Sequence, residues 1–118
     1  MARILIVDDY DPVRWTLANL LQSEGHEVDQ AADGLQALAC FAAHPADAVL
    51  LDLHLPHMGG LEACRRLRQA SQVPILMIST SNDPSLQQQA LACGADAFVT
   101  KPMEFESLLA LFTPFPAR

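Results

Sequence analysis

Four short apolar runs in this chain each end at a polar residue suited to phosphate or metal chemistry. None of the runs alternates with polar residues, which is typical of strands buried on both faces of a parallel sheet. The runs and the residues that follow them are 4–7 with Asp8 and Asp9, 48–51 with Asp52, 75–78 with Ser79 and Thr80, and 97–100 with Lys101. Because the carboxyl ends of parallel strands meet at one edge of a sheet, these polar groups are expected to share one crevice.

The segments between the runs predict helices, since their apolar residues repeat at helical spacing between capping and stop signals. The first two helices are expected to begin at Pro12, after an Asp11 N-cap, and at Gly34, after Asp33. The other three are expected to begin after the loop 55–60, after Asp83 and at about Glu104. A short strand is expected over 27–32. Right-handed crossovers then predict an α/β fold, with a doubly wound five-stranded parallel sheet and five helices. A length of 118 residues is consistent with one domain over residues 1–118.

Composition and charge narrow the classes of function. The formal net charge is −7, which argues against non-specific binding to nucleic acid or to an anionic membrane. No apolar stretch approaches the ~20 residues that a membrane helix needs, and no basic, apolar leader precedes the first strand. The three cysteines are widely spaced and form no C-x-x-C pattern. We therefore expect a cytoplasmic protein in a reducing compartment.

The three aspartates at the expected crevice indicate a metal site. Asp8, Asp9 and Asp52 would crowd negative charge there, at a cost unless a cation or protons neutralise it. Carboxylate oxygens without a surrounding cysteine or histidine pattern suit Mg²⁺. An aspartate can also attack phosphorus to form an aspartyl phosphate, while a metal and a lysine offset charge on the phosphoryl oxygens. The pattern therefore favours phosphoryl transfer.

The same motifs resemble those of response-regulator receiver domains, the CheY-like superfamily. The residues that carry the resemblance are ILIVDD at 4–9, LLDLHLPHMGGLE at 50–62, PILMIST at 74–80 and GADAFVTKP at 94–102, so it extends over nearly the whole chain. All of them occur in order and at expected strand ends, which is far more specific than an isolated Asp-Asp pair. The resemblance implies a flavodoxin-like sheet with strand order 2-1-3-4-5.

The resemblance also implies a role for individual residues. It makes Asp52 the phosphoacceptor, with Mg²⁺ or Mn²⁺ held directly by Asp9 and Asp52, through water by Asp8, and by the backbone carbonyl of His54. The phosphate contacts and switch residues that it implies are Lys101, Ser79, Thr80 on the access path and Phe98 as a rotating aromatic, with a cis peptide between Lys101 and Pro102. Phe98 lacks the hydroxyl of a switch tyrosine, and Thr80 stands where the family prefers alanine or glycine.

The function implied by the resemblance is that of a receiver in a two-component system or phosphorelay. A histidine kinase or phosphotransfer protein would phosphorylate Asp52, and the domain would then change which partner it binds. A downstream protein or a second copy would dock on the fourth helix, fifth strand and fifth helix, near the surplus apolar residues Leu111 and Phe115. The chain itself is expected to carry no output domain and to bind neither nucleic acid nor membrane. It would catalyse its own phosphorylation and dephosphorylation but turn over no separate substrate as an enzyme.

Two other classes of function stay open. One is an interaction module that has the receiver fold but no longer uses phosphate, although such modules usually lose an acidic residue or the lysine. The other is a hydrolase or phosphotransferase of the haloacid-dehalogenase type, which places a second aspartate two residues after the nucleophile. His54 stands at that position here, and no cap domain is present in the sequence.

Several side chains have a structural interpretation beside a functional one. Cys64 and Cys93 are read as small core residues rather than a redox pair. His54 and His57 are read as exposed loop residues rather than metal ligands, and His26 and His44 as solvent-facing turn residues. Trp15 lies off the apolar stripe of the first helix, where partial burial is favoured over a partner contact. Arg65, Arg66 and Arg68 are expected to face mostly outward.

Overall fold

A computed structural model describes residues 2–80 and 83–100 of the chain. Five strands in these residues form one parallel sheet, in the order β2-β1-β3-β4-β5. The strands are β1 Arg3–Val7, β2 Glu27–Ala31, β3 Ala48–Asp52, β4 Ile75–Ser79 and β5 Ala97–Thr100, and the helices are α1 Asp11–Ser23, α2 Gly34–Ala43, α3 Gly60–Ala70 and α4 Pro84–Ala92. The predicted doubly wound fold and its strand order are therefore confirmed. The helix expected over 104–112 lies outside the described residues.

The register of the sheet aligns the carboxyl ends of its strands. Val7 pairs with Ala31 on one side and Leu51 on the other, and Asp52 pairs with Ile78. Ser79 pairs with Thr100 one residue further along. The residues that follow β1, end β3 and end β4 consequently lie along the same edge, as the apolar runs predicted.

Apolar clusters cover both faces of this sheet. Alternate strand residues point to opposite faces, so each strand contributes to both clusters. The cluster beneath α2, α3 and α4 includes Leu5, Val7, Val49, Leu51, Met77, Ala37, Leu67 and Ala90. The cluster beneath α1 includes Ile4, Ile6, Leu50, Ile78, Leu17 and Leu21. Burial on both faces explains why the strands read as continuous apolar runs.

The capping prediction for α1 was wrong by one residue. Tyr10 occupies the N-cap position and Asp11 is the first residue of the helix, with no side-chain cap. Arg14 forms an ion pair with Asp11, at 2.6 Å from Nη2 to Oδ1, which explains why this carboxylate does not fold back onto the helix amides. The other two predicted caps are confirmed, because Asp33 accepts from the Gln36 amide at 2.8 Å and Asp83 from the Ser85 amide at 2.9 Å.

Arg68 does not face outward as expected. Its side chain is only 21% exposed, and its guanidinium donates to the carbonyl oxygens of Gly94 and Ser71 and to the Asp96 carboxylate. The Asp96 carboxylate in turn accepts from the Ile75 amide at 2.8 Å. Arg68 thus connects the end of α3 to the turn before β5 and to the start of β4. Arg65 and Arg66 do lie exposed, in ion pairs with Glu62.

Two aromatic residues near the start of α1 are exposed. Trp15 is 54% exposed, so the favoured partial burial was wrong, and Tyr10 is 60% exposed. His54, His57 and His44 are exposed as expected. His26 is half-buried instead, because its Nδ1 accepts from the Ala2 amide at 3.1 Å.

Cys64 is a core residue, as predicted. It is fully buried in the cluster beneath α3, and its thiol contacts the Cys93 carbonyl oxygen at 3.6 Å. Burial raises the pKa of the Cys64 thiol to about 11, with a smaller contribution from the neighbouring Cys93. Since the thiolate is the reactive form, this environment keeps Cys64 chemically inert. In the described residues, no helix combines the length and apolar character needed to span a bilayer.

Candidate functional site

Three carboxylates converge at the carboxyl edge of the sheet. Asp8 directly follows β1, Asp52 is the last residue of β3, and Asp9 begins the loop into α1. One carboxylate oxygen from each lies within 4.8 Å of those from the other two. Asp8 and Asp52 are buried whereas Asp9 is exposed, so the cluster is open to solvent on one side. The structure therefore brings together the acidic residues that the sequence predicted as a metal site.

Backbone hydrogen bonds hold this cluster in place. The Asp8 amide donates to the Ala31 carbonyl oxygen at 3.1 Å, which ties the end of β1 to the end of β2. The Asp8 side chain accepts from the Tyr10 amide at 3.0 Å, and the Asp52 side chain accepts from the His54 amide at 3.2 Å. Each buried carboxylate is thus oriented by the loop that follows its own strand.

The start of α3 packs directly against the end of β3. The Gly60 amide donates to the Leu53 carbonyl oxygen at 3.0 Å. A Cβ atom at Gly60 would overlap the Asp52 carbonyl oxygen and lie 2.7 Å from the Leu53 Cα atom. Only glycine allows this approach, because the atoms it would meet are backbone and cannot move aside. Gly60 therefore supports the loop around Asp52, whereas a Cβ atom at the preceding Gly59 would meet nothing within 4 Å.

Arg14 is a feature of this edge that the sequence analysis did not identify. Its side chain is only 11% exposed. Nη1 donates to the Asp8 backbone oxygen at 2.8 Å, and Nε donates to the Gln30 side chain at 3.2 Å. The spacing of Asp11 and Arg14 is that of an i,i+3 ion pair, but nothing in the sequence indicates that Arg14 would also reach back to the strand end.

An open cleft of about 420 Å³ lies beside the carboxylates. Its lining residues are Asp8, Asp9, Tyr10, Val13, Asp52, His54 and Thr80. The predicted access residue Thr80 therefore does face the same space as Asp52. Ser79 is buried at the end of β4. Lys101 and its peptide bond to Pro102 lie outside the described residues, so their predicted roles stay predictions.

Phe98 lies in β5, where it pairs with Met77 of β4. Its side chain is partly buried and packs against the cluster beneath α2, α3 and α4. This position is compatible with the side chain turning further into the core. The rotation itself is a prediction that the structure does not test.

The donor set fits a hard divalent cation. All three side chains of the group that lies within 4.8 Å offer carboxylate oxygens, and the group contains no cysteine or histidine. Mg²⁺ prefers oxygen ligands and keeps several waters, so it is commonly bound by a few carboxylates at a solvent-accessible position. Exposure of Asp9 and the adjoining cleft provide that access. The chemistry of the residues present therefore suits Mg²⁺ or Mn²⁺.

Comparison with known proteins agrees with this geometry. The sequence matches the family described as "Response regulator receiver domain" over residues 4–113. It is 42% identical over 110 residues to the sensory transduction protein RegX3 of Mycolicibacterium smegmatis, covering 93% of this chain and 48% of that protein. It is 41% identical over 109 residues to the response regulator MprA of a Mycobacterium species, covering 92% of this chain and 47% of that protein.

A solved structure shows the same fold. The chemotaxis protein CheY4 of Vibrio cholerae superimposes with a TM-score of 0.92 at 36% sequence identity, covering 98% of this chain and 99% of that one. The chain spans about half the length of the curated relatives named above, but nearly all of CheY4. The shared region is the receiver itself in each case. The protein described here belongs to the response-regulator receiver domain family.

Proposed function

We propose that residues 1–118 act as one phosphorylation-controlled switch in a two-component system or phosphorelay, with Asp52 as the acceptor. The observation that carries this proposal is the convergence of the Asp8, Asp9 and Asp52 carboxylates within 4.8 Å beside an open cleft. A histidine kinase or a phosphotransfer protein is the donor. The domain then binds a downstream protein or a second copy of itself. No separate substrate is turned over.

The transfer step needs a nucleophile that is oriented before the donor arrives. An oxygen of the Asp52 carboxylate attacks phosphorus, the new O–P bond forms, and the N–P bond to the donor histidine breaks with its electron pair returning to the ring nitrogen. The His54 amide holds the Asp52 carboxylate at 3.2 Å, so the direction of attack is set by the loop. Thr80 borders the path along which the phosphoryl group enters.

The acidic residues beside Asp52 supply the metal site of this proposal. Asp9 and Asp52 would bind Mg²⁺ directly, Asp8 through water, and the backbone carbonyl of His54 would complete the protein ligands. When bound, the metal offsets the negative charge on the phosphoryl oxygens during transfer. Lys101 would contact the same oxygens from the end of β5. Proximity of the three carboxylates supports this assignment, and the metal would relieve their mutual repulsion.

The signal would leave the site through β4 and β5. Ser79 would move toward a phosphoryl oxygen, and Phe98 would turn into the space that this movement opens. Pairing of β4 with β5, and packing of Phe98 against the cluster under α4, support such a route. The partner surface would be α4, β5 and the helix expected over 104–112. Phosphorylation can drive the change only through a difference in affinity between the two states.

Intact mass spectrometry tests the acceptor assignment. Wild-type protein incubated with acetyl phosphate and Mg²⁺ should gain the mass of one phosphoryl group, and EDTA should suppress the gain. Asp52→Ala should gain none. Asp96→Ala is the matched control, because Asp96 lies exposed in the turn before β5, at the opposite edge of the sheet and outside the cluster, and it should be phosphorylated like the wild type. Unchanged phosphorylation of Asp52→Ala would refute the proposal.

Amide chemical shifts test the switch separately. Beryllofluoride with Mg²⁺ mimics the phosphoryl group, and we expect it to shift amides at residues 8–10 and 52–54 and also along 84–100. Shifts confined to the two loops would leave Asp52 as an acceptor but would contradict transmission through β4 and β5.

A further inference from the structure

The guanidinium of Arg14 joins three separate segments at the carboxyl edge. Nη1 donates to the Asp8 carbonyl oxygen at 2.8 Å, Nη2 pairs with the Asp11 carboxylate at 2.6 Å, and Nε donates to the Gln30 side chain at 3.2 Å. These partners lie at the end of β1, at the start of α1 and in β2. A planar group with a fixed fork of donors can satisfy all three at once.

These contacts fix the peptide group between Asp8 and Asp9. The Asp8 amide on the preceding peptide is already bound to the Ala31 carbonyl oxygen at 3.1 Å. Arg14 holds the Asp8 carbonyl oxygen on the following peptide. Both peptide planes that flank Asp8 are therefore fixed. As a result, the backbone runs from the end of β1 into Asp9 in a defined direction. Asp9 is exposed, so this backbone restraint has a large effect on where its carboxylate lies.

We propose that Arg14 is a positioning residue of the metal site: it orients Asp9 toward Asp8 and Asp52 through the Asp8 carbonyl. The inference rests on the proposed function, since it assumes that these carboxylates bind Mg²⁺. Arg14 acts through the backbone and binds neither the metal nor the phosphoryl group. Its role resembles that of the outer ligands that orient inner ones in metal sites generally.

Charge and position make opposite predictions for this residue. A positive charge beside a cation site repels the cation, so loss of Arg14 through charge alone should tighten Mg²⁺ binding. Loss of the restraint on the peptide after Asp8 should weaken binding, because Asp9 must then be ordered when the metal binds. The sign of the change in affinity therefore separates positioning from electrostatics.

The experiment is a Mg²⁺ titration followed by the amide shifts of residues 8–10 and 52–54. For Arg14→Met we expect about tenfold weaker Mg²⁺ binding, at the lower end of the range for lost outer-ligand contacts. Arg14→Lys should lie between this variant and the wild type, since an ammonium keeps the charge but lacks the planar fork. If Arg14→Met does not fold, Arg14→Lys carries the test alone, and wild-type affinity in it overturns the proposal.

Arg3→Met is the matched control. Arg3 also links β1 to β2, through Asp29 and Glu27, but at the opposite end of the strand. The Arg3→Met variant should bind Mg²⁺ with the same affinity as the wild type. Equal or tighter binding by Arg14→Met would overturn the positioning role while leaving the metal site intact. Absence of Mg²⁺ binding by the wild type would instead overturn the proposed function.

Discussion

The two edges of the central sheet carry opposite arrangements of charge. At the amino edge, charges of opposite sign are paired, and several of them also bond the backbone. Arg3 pairs with Glu27 and Asp29, and Arg68 with Asp96. At the carboxyl edge, three charges of the same sign lie within 4.8 Å of one another. The amino edge is therefore organised to hold strands together, whereas the carboxyl edge, besides the Arg14–Asp11 pair, gathers like charges that a cation can neutralise.

The difference shows where this fold separates stability from function. Exposed ion pairs contribute little by themselves, typically ~0–1 kcal/mol. The amino-edge groups do more because they also fix backbone atoms: Asp96 accepts from the Ile75 amide and Arg68 donates to the Gly94 carbonyl oxygen. The carboxyl edge has rigid backbone support of a different kind, from the close approach of Gly60 to β3. Like charges can be held together there because the backbone around them cannot relax.

The largest effect should come from breaking that backbone support. A methyl group at Gly60 would overlap the Asp52 carbonyl oxygen, so Gly60→Ala should lower the free energy of unfolding by about 3 kcal/mol, as in severe overpacking. Gly59→Ala is the matched control. Its Cβ would meet nothing within 4 Å, and its φ of −64° suits any residue, so the change should stay within about 0.5 kcal/mol. Urea unfolding measures both, and equal losses would show that the contact at Gly60 is not restrictive.

A smaller loss is expected at the amino edge. Arg68→Met keeps the aliphatic stem but removes hydrogen bonds to Gly94, Ser71 and Asp96, which should cost about 2 kcal/mol. Arg66 lies on the same helix, its side chain is 52% exposed, and it pairs with Glu62. Arg66→Met should therefore lower the free energy of unfolding by less than about 0.5 kcal/mol. Thermal unfolding of the two variants compares them directly. A larger loss for Arg66→Met would contradict the assignment of the amino edge to stability.

The smallest effect is a gain in the loop after β3. His57 has a φ of 65°, and no other non-glycine residue in the stretches 2–80 and 83–100 has a positive φ. His57→Gly should therefore raise the free energy of unfolding by about 0.5 kcal/mol. Glycine removes the backbone strain in the folded state, and this gain is larger than the cost of making the unfolded chain more flexible. His54→Gly, on the same loop at negative φ, should lower it by about 0.5–1 kcal/mol. Chemical denaturation measures the free energy of unfolding of both variants. If the two substitutions change it in the same direction, the backbone at His57 is not strained.

Much of the sheet and of the carboxyl edge could be predicted from the sequence. Strands buried on both faces leave continuous apolar runs, and the parallel arrangement places the residues after those runs together. Asp8, Asp9 and Asp52 were found in this way and do lie within 4.8 Å. The strand order came from the family resemblance rather than from the runs, which carry no information about which strands are neighbours.

The predictions that failed concern long or polar side chains whose partners are distant in sequence. Arg68 was placed outward together with Arg65 and Arg66, but its partners Gly94 and Asp96 lie 26 and 28 residues away. Arg14 was missed for a similar reason, since its partner Gln30 lies in β2, 16 residues further along the chain. Asp11 was expected as an N-cap, a local signal that its ion pair with Arg14 overrides. Local patterns cannot anticipate such contacts until the fold brings the segments together.

The most direct test of the contrast between the edges is the melting temperature of wild type and Asp9→Asn, each with and without millimolar Mg²⁺. Removing one of the three like charges should stabilise the metal-free protein by about 1 kcal/mol, or about 4 °C. Mg²⁺ should raise the melting temperature of the wild type by linkage and raise that of Asp9→Asn much less. A wild type indifferent to Mg²⁺, together with an Asp9→Asn variant no more stable than the wild type, would contradict the account.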